Sequence, residues 1–277
     1  MYPDKGAPEE EMYSASEGKG KMAYHLEALV PIILILIIGV FLAAKFDLID
    51  VPYLSDSTPA KILVIGQPSQ ETMSVFEEAT NRDVVKTVRI ADAETIEHNT
   101  NVINQYDIIW LDQSMQADKT IPRRVGEAIA DYVGTGGKLV IVQNSGIKRE
   151  GDISVLGWKA TFGDIVPVSC ADYGLTEGQP SCLDPQVAVG VIYAADEEHK
   201  IMQGTYRFPI LESQGYLSIT LYPVAVDGKE IAYFKDERTD KYYPAIVEKS
   251  FLGKVIYFNY NPGIAEDVLI RTIQYLH

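Results

Sequence analysis

The chain has 277 residues, 47% of them hydrophobic, which is enough for one good-sized domain or two small ones with a buried core. Its formal net charge of -15 and pI near 4.7 exclude nucleic-acid binding, because nothing here would neutralise a row of phosphates. An acidic excess of this kind keeps a domain soluble and off anionic lipid.

Residues 1–24 are rich in Glu, Gly and Ser without an apolar period and read as a polar tail, disordered unless a partner holds it. The run ALVPIILILIIGVFLAA over residues 28–44 carries no charge, and residues 25–46 are predicted to form one transmembrane helix. Pro31 falls in the first turn of that uncharged run, where a missing N–H costs little. The run shows no polar face, as a soluble core helix would. A cleaved signal peptide fits poorly, since a polar tail precedes the run and no A-x-A site closes it. Gly39 and Ala43 give the span a small-xxx-small face suited to packing on another helix. Lys19 and Lys21 precede the uncharged run and Lys45 follows it, a weak bias that puts the N-terminus in the cytoplasm and the main domain outside, in a single-pass cell-membrane protein. Residues 47–60, with Pro52 and Pro59, read as a linker.

From Lys61 onward strand-length apolar runs alternate with helical spacing. KILVIG is a buried strand, followed by a helix with Met73, Phe76 and Ala79 on one face. VVKTVRIA and YDIIWLD are the next strands. A helix opening at Ile121-Pro122 buries Val125, Ala128, Ile129, Tyr132 and Val133 and is stopped by Gly134, Gly136 and Gly137. KLVIVQNSG is the fourth strand. VAVGVIYAA, YLSITLYPVAV, EIAYFKDE, PAIVEKSF and KVIYFNY follow, with a hairpin at Asp227-Gly228 and a last helix over residues 264–276. The expected fold is α/β: a flavodoxin-like, doubly wound, mostly parallel sheet with an antiparallel β extension, filling residues 61–277 behind one transmembrane helix.

Both cysteines, Cys170 and Cys182, lie in the Gly/Pro-containing stretch SCADYGLTEGQPSCLDP. A short-loop disulfide is expected there, which would suit an oxidising compartment, although two separate thiols remain the alternative on sequence alone. The spacing is too wide for C-x-x-C and His199 is the one nearby His, so no zinc is expected, nor any other metal or cofactor. The run Asp196-Glu197-Glu198 lacks the spaced ligands of a calcium loop and reads as a solvated turn.

In an open α/β sheet the ligand crevice lies beyond the carboxyl ends of the strands. Those ends carry Gly66, Gln67 and Ser69, then Asp112, Gln113 and Ser114, then Gln143, Asn144, Ser145 and Gly146, then Asn259 and Asn261. The ligand candidates are Gln67, Asp112, Gln113, Asn144, Ser145 and Asn261, a set of amides and hydroxyls suited to a neutral polar molecule.

The order of KILVIG, YDIIWLD, YVGTGGK, LVIVQNSG, EEHKIMQG and GKVIYFNYNPG resembles the class I glutamine amidotransferase-like superfamily in its ThuA-like branch. Catalytic members carry a G-x-C-x-G elbow after the fourth strand and a late His-Pro-Glu. Here Val142-Gln143-Asn144-Ser145-Gly146 puts Asn144 in the cysteine's place, and Asn261-Pro262-Gly263 replaces the base and its orienter. An amide cannot become a thiolate, and neither Asn nor Gly can take its proton, so the resemblance implies a degenerate site without glutaminase chemistry. A serine hydrolase built from Ser145 and His199 is the weaker enzymatic reading. The expected role is a non-catalytic, membrane-anchored binding or scaffold subunit, with the lipid bilayer and other membrane-complex subunits as partners. The alternative is an extracytoplasmic sugar-binding protein or hydrolase using the strand-end cleft.

Overall fold

The computed structural model describes residues 30–40, 58–151, 157–170, 181–210 and 215–277. Residues 30–40 are helical and exposed throughout, Gly39 among them, with nothing within 4 Å of where its Cβ would stand. The rest of the expected span, with Ala43, lies outside the described residues, as do the polar tail and most of the linker. Among the described residues no helix is long and apolar enough to cross a membrane.

Residues 57–277 form one compact unit. Its parallel half is built from β1 (Ala60–Gly66), α1 (Gln70–Asn81), β2 (Val85–Ala91), α2 (Ala93–Glu97), β3 (Ile108–Asp112), the two-residue β4 (Thr120–Ile121), α3 (Arg123–Gly134) and β5 (Lys138–Val142). Then come β6 (Lys148–Arg149), α4 (Trp158–Phe162), β7 (Val168–Cys170), β8 (Gln186–Ala194), β9 (Arg207–Phe208), β10 (Leu217–Leu221), β11 (Val224–Val226), β12 (Lys229–Asp236), β13 (Lys241–Ser250), β14 (Lys254–Phe258) and α5 (Glu266–Leu276). The main sheet runs β10-β8-β12-β13-β14-β5-β3-β1-β2, with β9 beside β8.

The five strands β2-β1-β3-β5-β14 are parallel, and β13, β12, β8 and β10 continue the sheet antiparallel. The parallel strands follow the 2-1-3-4-5 order of a doubly wound sheet. One lateral row reads Ile90, Val64, Trp110, Val140, Ile256 and then Glu248 on β13. Strands buried on both faces must be apolar along their length, and β3 and β5 are so because helices cover each side. On one face α1 and α5 pack over Val64, Trp110, Val140, Ile256 and Phe258. On the other, α2, α3 and α4 pack over Leu63, Ile109, Leu111, Ile141 and Tyr257. α1 starts where Ser69 caps it, the hydroxyl accepting from Thr72 N at 3.1 Å, and it buries Thr72, Val75, Phe76 and Ala79.

Two local expectations change. YLSITLYPVAV is not one strand: Pro223 has no N–H to carry the ladder on, so β10 stops at Leu221 and β11 pairs with β7 in a separate small sheet. Asp227-Gly228 is accordingly not the tip of a hairpin between paired neighbours. Asp227 N donates to Pro167 O at 2.7 Å, and the turn passes the chain from the small sheet to the main one. Tight hairpins lie instead at residues 237–240, where Asp240 takes φ 55°, and at residues 251–253 between β13 and β14. The disulfide Cys170–Cys182 is present, with Cα atoms 5.0 Å apart, and ties the end of β7 to residues 181–183.

Candidate functional site

The carboxyl ends of β1 and β3 flank the point where the order of the parallel strands reverses, and a crevice of about 310 Å3 opens there. Gln67, Glu94, Gln113, Gln116, Asp118 and Thr120 line it. Met115 N donates to Gln67 O at 3.2 Å, which ties the loop after β3 to the end of β1. Gly66 can only be glycine, because its φ is 111° and a Cβ would stand 2.4 Å from Asp112 O.

Of the six rim candidates, Gln67 and Gln113 meet in this crevice. Gln113 is nearly all committed to the fold. Its Oε1 accepts from Gly146 N at 2.8 Å, its Nε2 donates to Thr120 O at 3.2 Å, and its backbone N donates to Ser145 Oγ at 2.8 Å. Ser145 is fully buried, and its carbonyl accepts from Trp158 Nε1 at 2.9 Å, so it links β3, the turn after β5 and α4. Asn144 is 7% exposed within that turn. Asn261 stands apart, at the start of α1, where its Oδ1 accepts from Ser69 Oγ and Thr72 Oγ1, both at 3.0 Å, and from Gly263 N at 3.1 Å. Asn259 is fully buried and holds Tyr222 and Pro244 through its amide. Amides that look like ligand-binding groups in the sequence are thus largely hydrogen-bond partners for backbone that leaves the sheet.

Two residues of the turn after β5 are left-handed, Gln143 at φ 53°, one position before Asn144, and Gly146 at φ 67°. The Gln143 backbone N donates to Phe258 O at 2.6 Å and its Nε2 to Thr220 O at 3.2 Å. The chain then runs through a turn into β6, without a helix.

Asp112 is different. It is fully buried; Oδ1 accepts from Ser114 N at 2.9 Å, and among the described residues Oδ2 has no hydrogen-bond partner, nor do Trp110 Nε1 and Ser114 Oγ nearby in sequence. Burial pushes the Asp112 carboxyl above the usual aspartate range, against the pull of Ser114, Trp110 and Lys119. Lys119 is half-buried, its Nζ donating to the carbonyls of Gln113 and Ser114, and burial lowers its pKa.

Ser145 and His199 are not brought together. His199 Nε2 lies 2.8 Å from Glu248 Oε2, and its Nδ1 accepts from Ile201 N at 3.3 Å, so Nε2 carries the hydrogen and donates. Tyr275 donates to Glu248 Oε1 at 2.8 Å, Ser250 donates to the same oxygen, and the His199 and Tyr275 rings meet edge to face at 4.8 Å. Burial alone would raise Glu248, but these three donors and the attraction of His199 bring it down to about 2. The cluster lines a cleft of about 530 Å3 with Asp227, Lys229 and Lys249. Sequence reasoning missed it. Its signal was Glu248 itself, a charge closing the apolar run of a strand interior, which requires buried donors. Among the described residues no group of three metal-ligating side chains converges. No protein-family model matches the chain, and no characterised protein matches it in sequence.

Proposed function

We propose that this chain is a non-catalytic, membrane-anchored binding or scaffold subunit of a larger membrane complex, built on a degenerate amidotransferase-like domain. The observation that carries the reading is the fate of the rim. Gln113, Ser145, Asn259 and Asn261 spend their polar atoms on the fold's own backbone and caps. His199, the base an enzymatic reading would need, is committed to Glu248. The apolar run of residues 28–44 supports the anchor, and the disulfide is compatible with an extracytoplasmic domain. The sheet ends on β10, and Val187, Tyr206 and Tyr216 around that edge are exposed apolar or aromatic groups of the kind subunit contacts use.

The second reading is a receptor for a neutral polar molecule such as a sugar, favoured by the polar crevice with Gln67 and by the unpartnered Asp112 Oδ2. Calorimetric titration of the detergent-solubilised full chain with neutral sugars separates the two. The scaffold reading expects no heat of binding, and Asn144→Ala leaves the mass of the solubilised particle unchanged. Saturable binding lost in both Asp112→Asn and Asn144→Ala would replace it with the receptor.

A further inference from the structure

The turn between β13 and β14 reads Lys249-Ser250-Phe251-Leu252-Gly253-Lys254, two large apolar residues between lysines. Phe251 is 44% and Leu252 56% exposed. This is not a loose loop. Phe251 N donates to Gly253 O at 3.0 Å, and Lys254 N donates to Gly137 O at 3.2 Å. A Cβ on Gly253 would stand 2.3 Å from Val133 O and 2.4 Å from Gly137 O, so the turn is pressed onto the end of α3. The backbone is fixed, and it holds both apolar side chains outward.

The turn projects from the end of the domain at which the chain enters. Lys254, Lys138, Ile108 and Ile62 are register partners at the starts of β14, β5, β3 and β1. The chain reaches β1 past Thr58, whose carbonyl accepts from His277 at the end of α5. Residues 47–59 extend at most about 45 Å, at ~3.5 Å per residue. On the reading that residues 25–46 span a membrane, on which this inference rests, that end is therefore held within reach of the bilayer surface.

We propose that the β13–β14 turn is a membrane-contacting tip, with Phe251 and Leu252 entering the headgroup–acyl boundary of the bilayer that holds the chain. Lys249 and Lys254 flank it as interfacial lysines do, with apolar stems against the surface and ammonium groups in the headgroup layer. Lys249 also pairs with Asp227 at 3.1 Å, and Lys254 lies 4.2 Å over the Tyr275 ring, contacts that hold both stems beside the tip. The acidic charge of the whole chain opposes anionic lipid, so the occupant is the interface of a zwitterionic bilayer.

The test uses the full chain, carrying Leu252→Cys or, as a control at the opposite end of the sheet, Met115→Cys, 63% exposed. Each is labelled with a polarity-sensitive fluorophore, the native cysteines being bridged. The chains are reconstituted into phosphatidylcholine vesicles holding a spin-labelled lipid, and flotation after an alkaline wash is recorded alongside. The expected result is a blue-shifted label at position 252, quenched several-fold more strongly than the label at 115. A chain that floats but whose position-252 label stays in water overturns the tip while leaving the anchor standing. A label shielded from aqueous iodide yet unreached by the lipid quencher assigns the tip to a protein contact, which also overturns it. A chain that does not float removes the anchor and the tip together.

Discussion

Asp112 and Glu248 are both buried carboxylates, and their surroundings drive them in opposite directions. Glu248 has donors on both oxygens from His199, Tyr275 and Ser250, and its pKa falls from 4.5 to about 2. A carboxylate depressed in the fold contributes stability above its unfolded pKa and loses it as pH falls, so this contribution should fade between about pH 4.5 and 2. It is of order 3 kcal/mol, at ~1.4 kcal/mol per pH unit of displacement. Glu248→Gln should therefore destabilise by about 2–3 kcal/mol at neutral pH and flatten the acid limb, read from denaturant melts between pH 2 and 7. Asp112 has an unpartnered oxygen and a raised pKa. Its contribution is fully present below the ordinary aspartate range and is lost as pH rises through the folded value. Asp112→Asn should gain on the wild type as pH rises in the same series of melts; a constant gap would deny the buried charge. At this scale residue types were legible but partners were not. Gln113, Asn259 and Asn261 were legible as polar groups at strand ends, yet the commitment of the first two to distant backbone, and of Asn261 to the hydroxyls of Ser69 and Thr72, follows from tertiary placement.

Elements were legible where burial on both faces forces a continuous apolar run, as in KILVIG, YDIIWLD and KLVIV, because helices on each side leave no polar position. The antiparallel extension was legible as strands but not as pairings. YLSITLYPVAV kept its apolar character through Pro223, and the break came from a missing N–H that hydrophobicity does not register. Glycine contacts set two further expectations. Gly253→Ala should cost about 2–3 kcal/mol, since the Val133 and Gly137 carbonyls that its Cβ meets are backbone atoms that cannot swing away. A chemical melt of the variant checks this, with the exposed Gly134, which has nothing near where its Cβ would stand, as the control. Reducing Cys170–Cys182 should lower stability by about 3 kcal/mol for a loop this short, and intact mass should rise by two hydrogens.

For the whole molecule, a mixed ten-stranded sheet with helices on both faces emerges from the order of apolar runs and helices along the chain. That a crevice lies at the carboxyl ends of the strands was legible from the parallel fold, but that it opens between β1 and β3 follows from the strand order, which the pattern of apolar runs does not carry. Nor did that pattern carry the His199–Glu248 cleft, whose members come from a turn, a strand and the last helix. On the proposed function, the chain works inside a membrane complex and performs no chemistry at the strand-end rim. Extracting it from its native membrane in mild detergent and weighing the particle by native mass spectrometry tests that most directly. The expected result is a particle heavier than the chain, with other membrane subunits in fixed integer ratio. A chain recovered alone, at the 30.7 kDa of its own sequence, would contradict it.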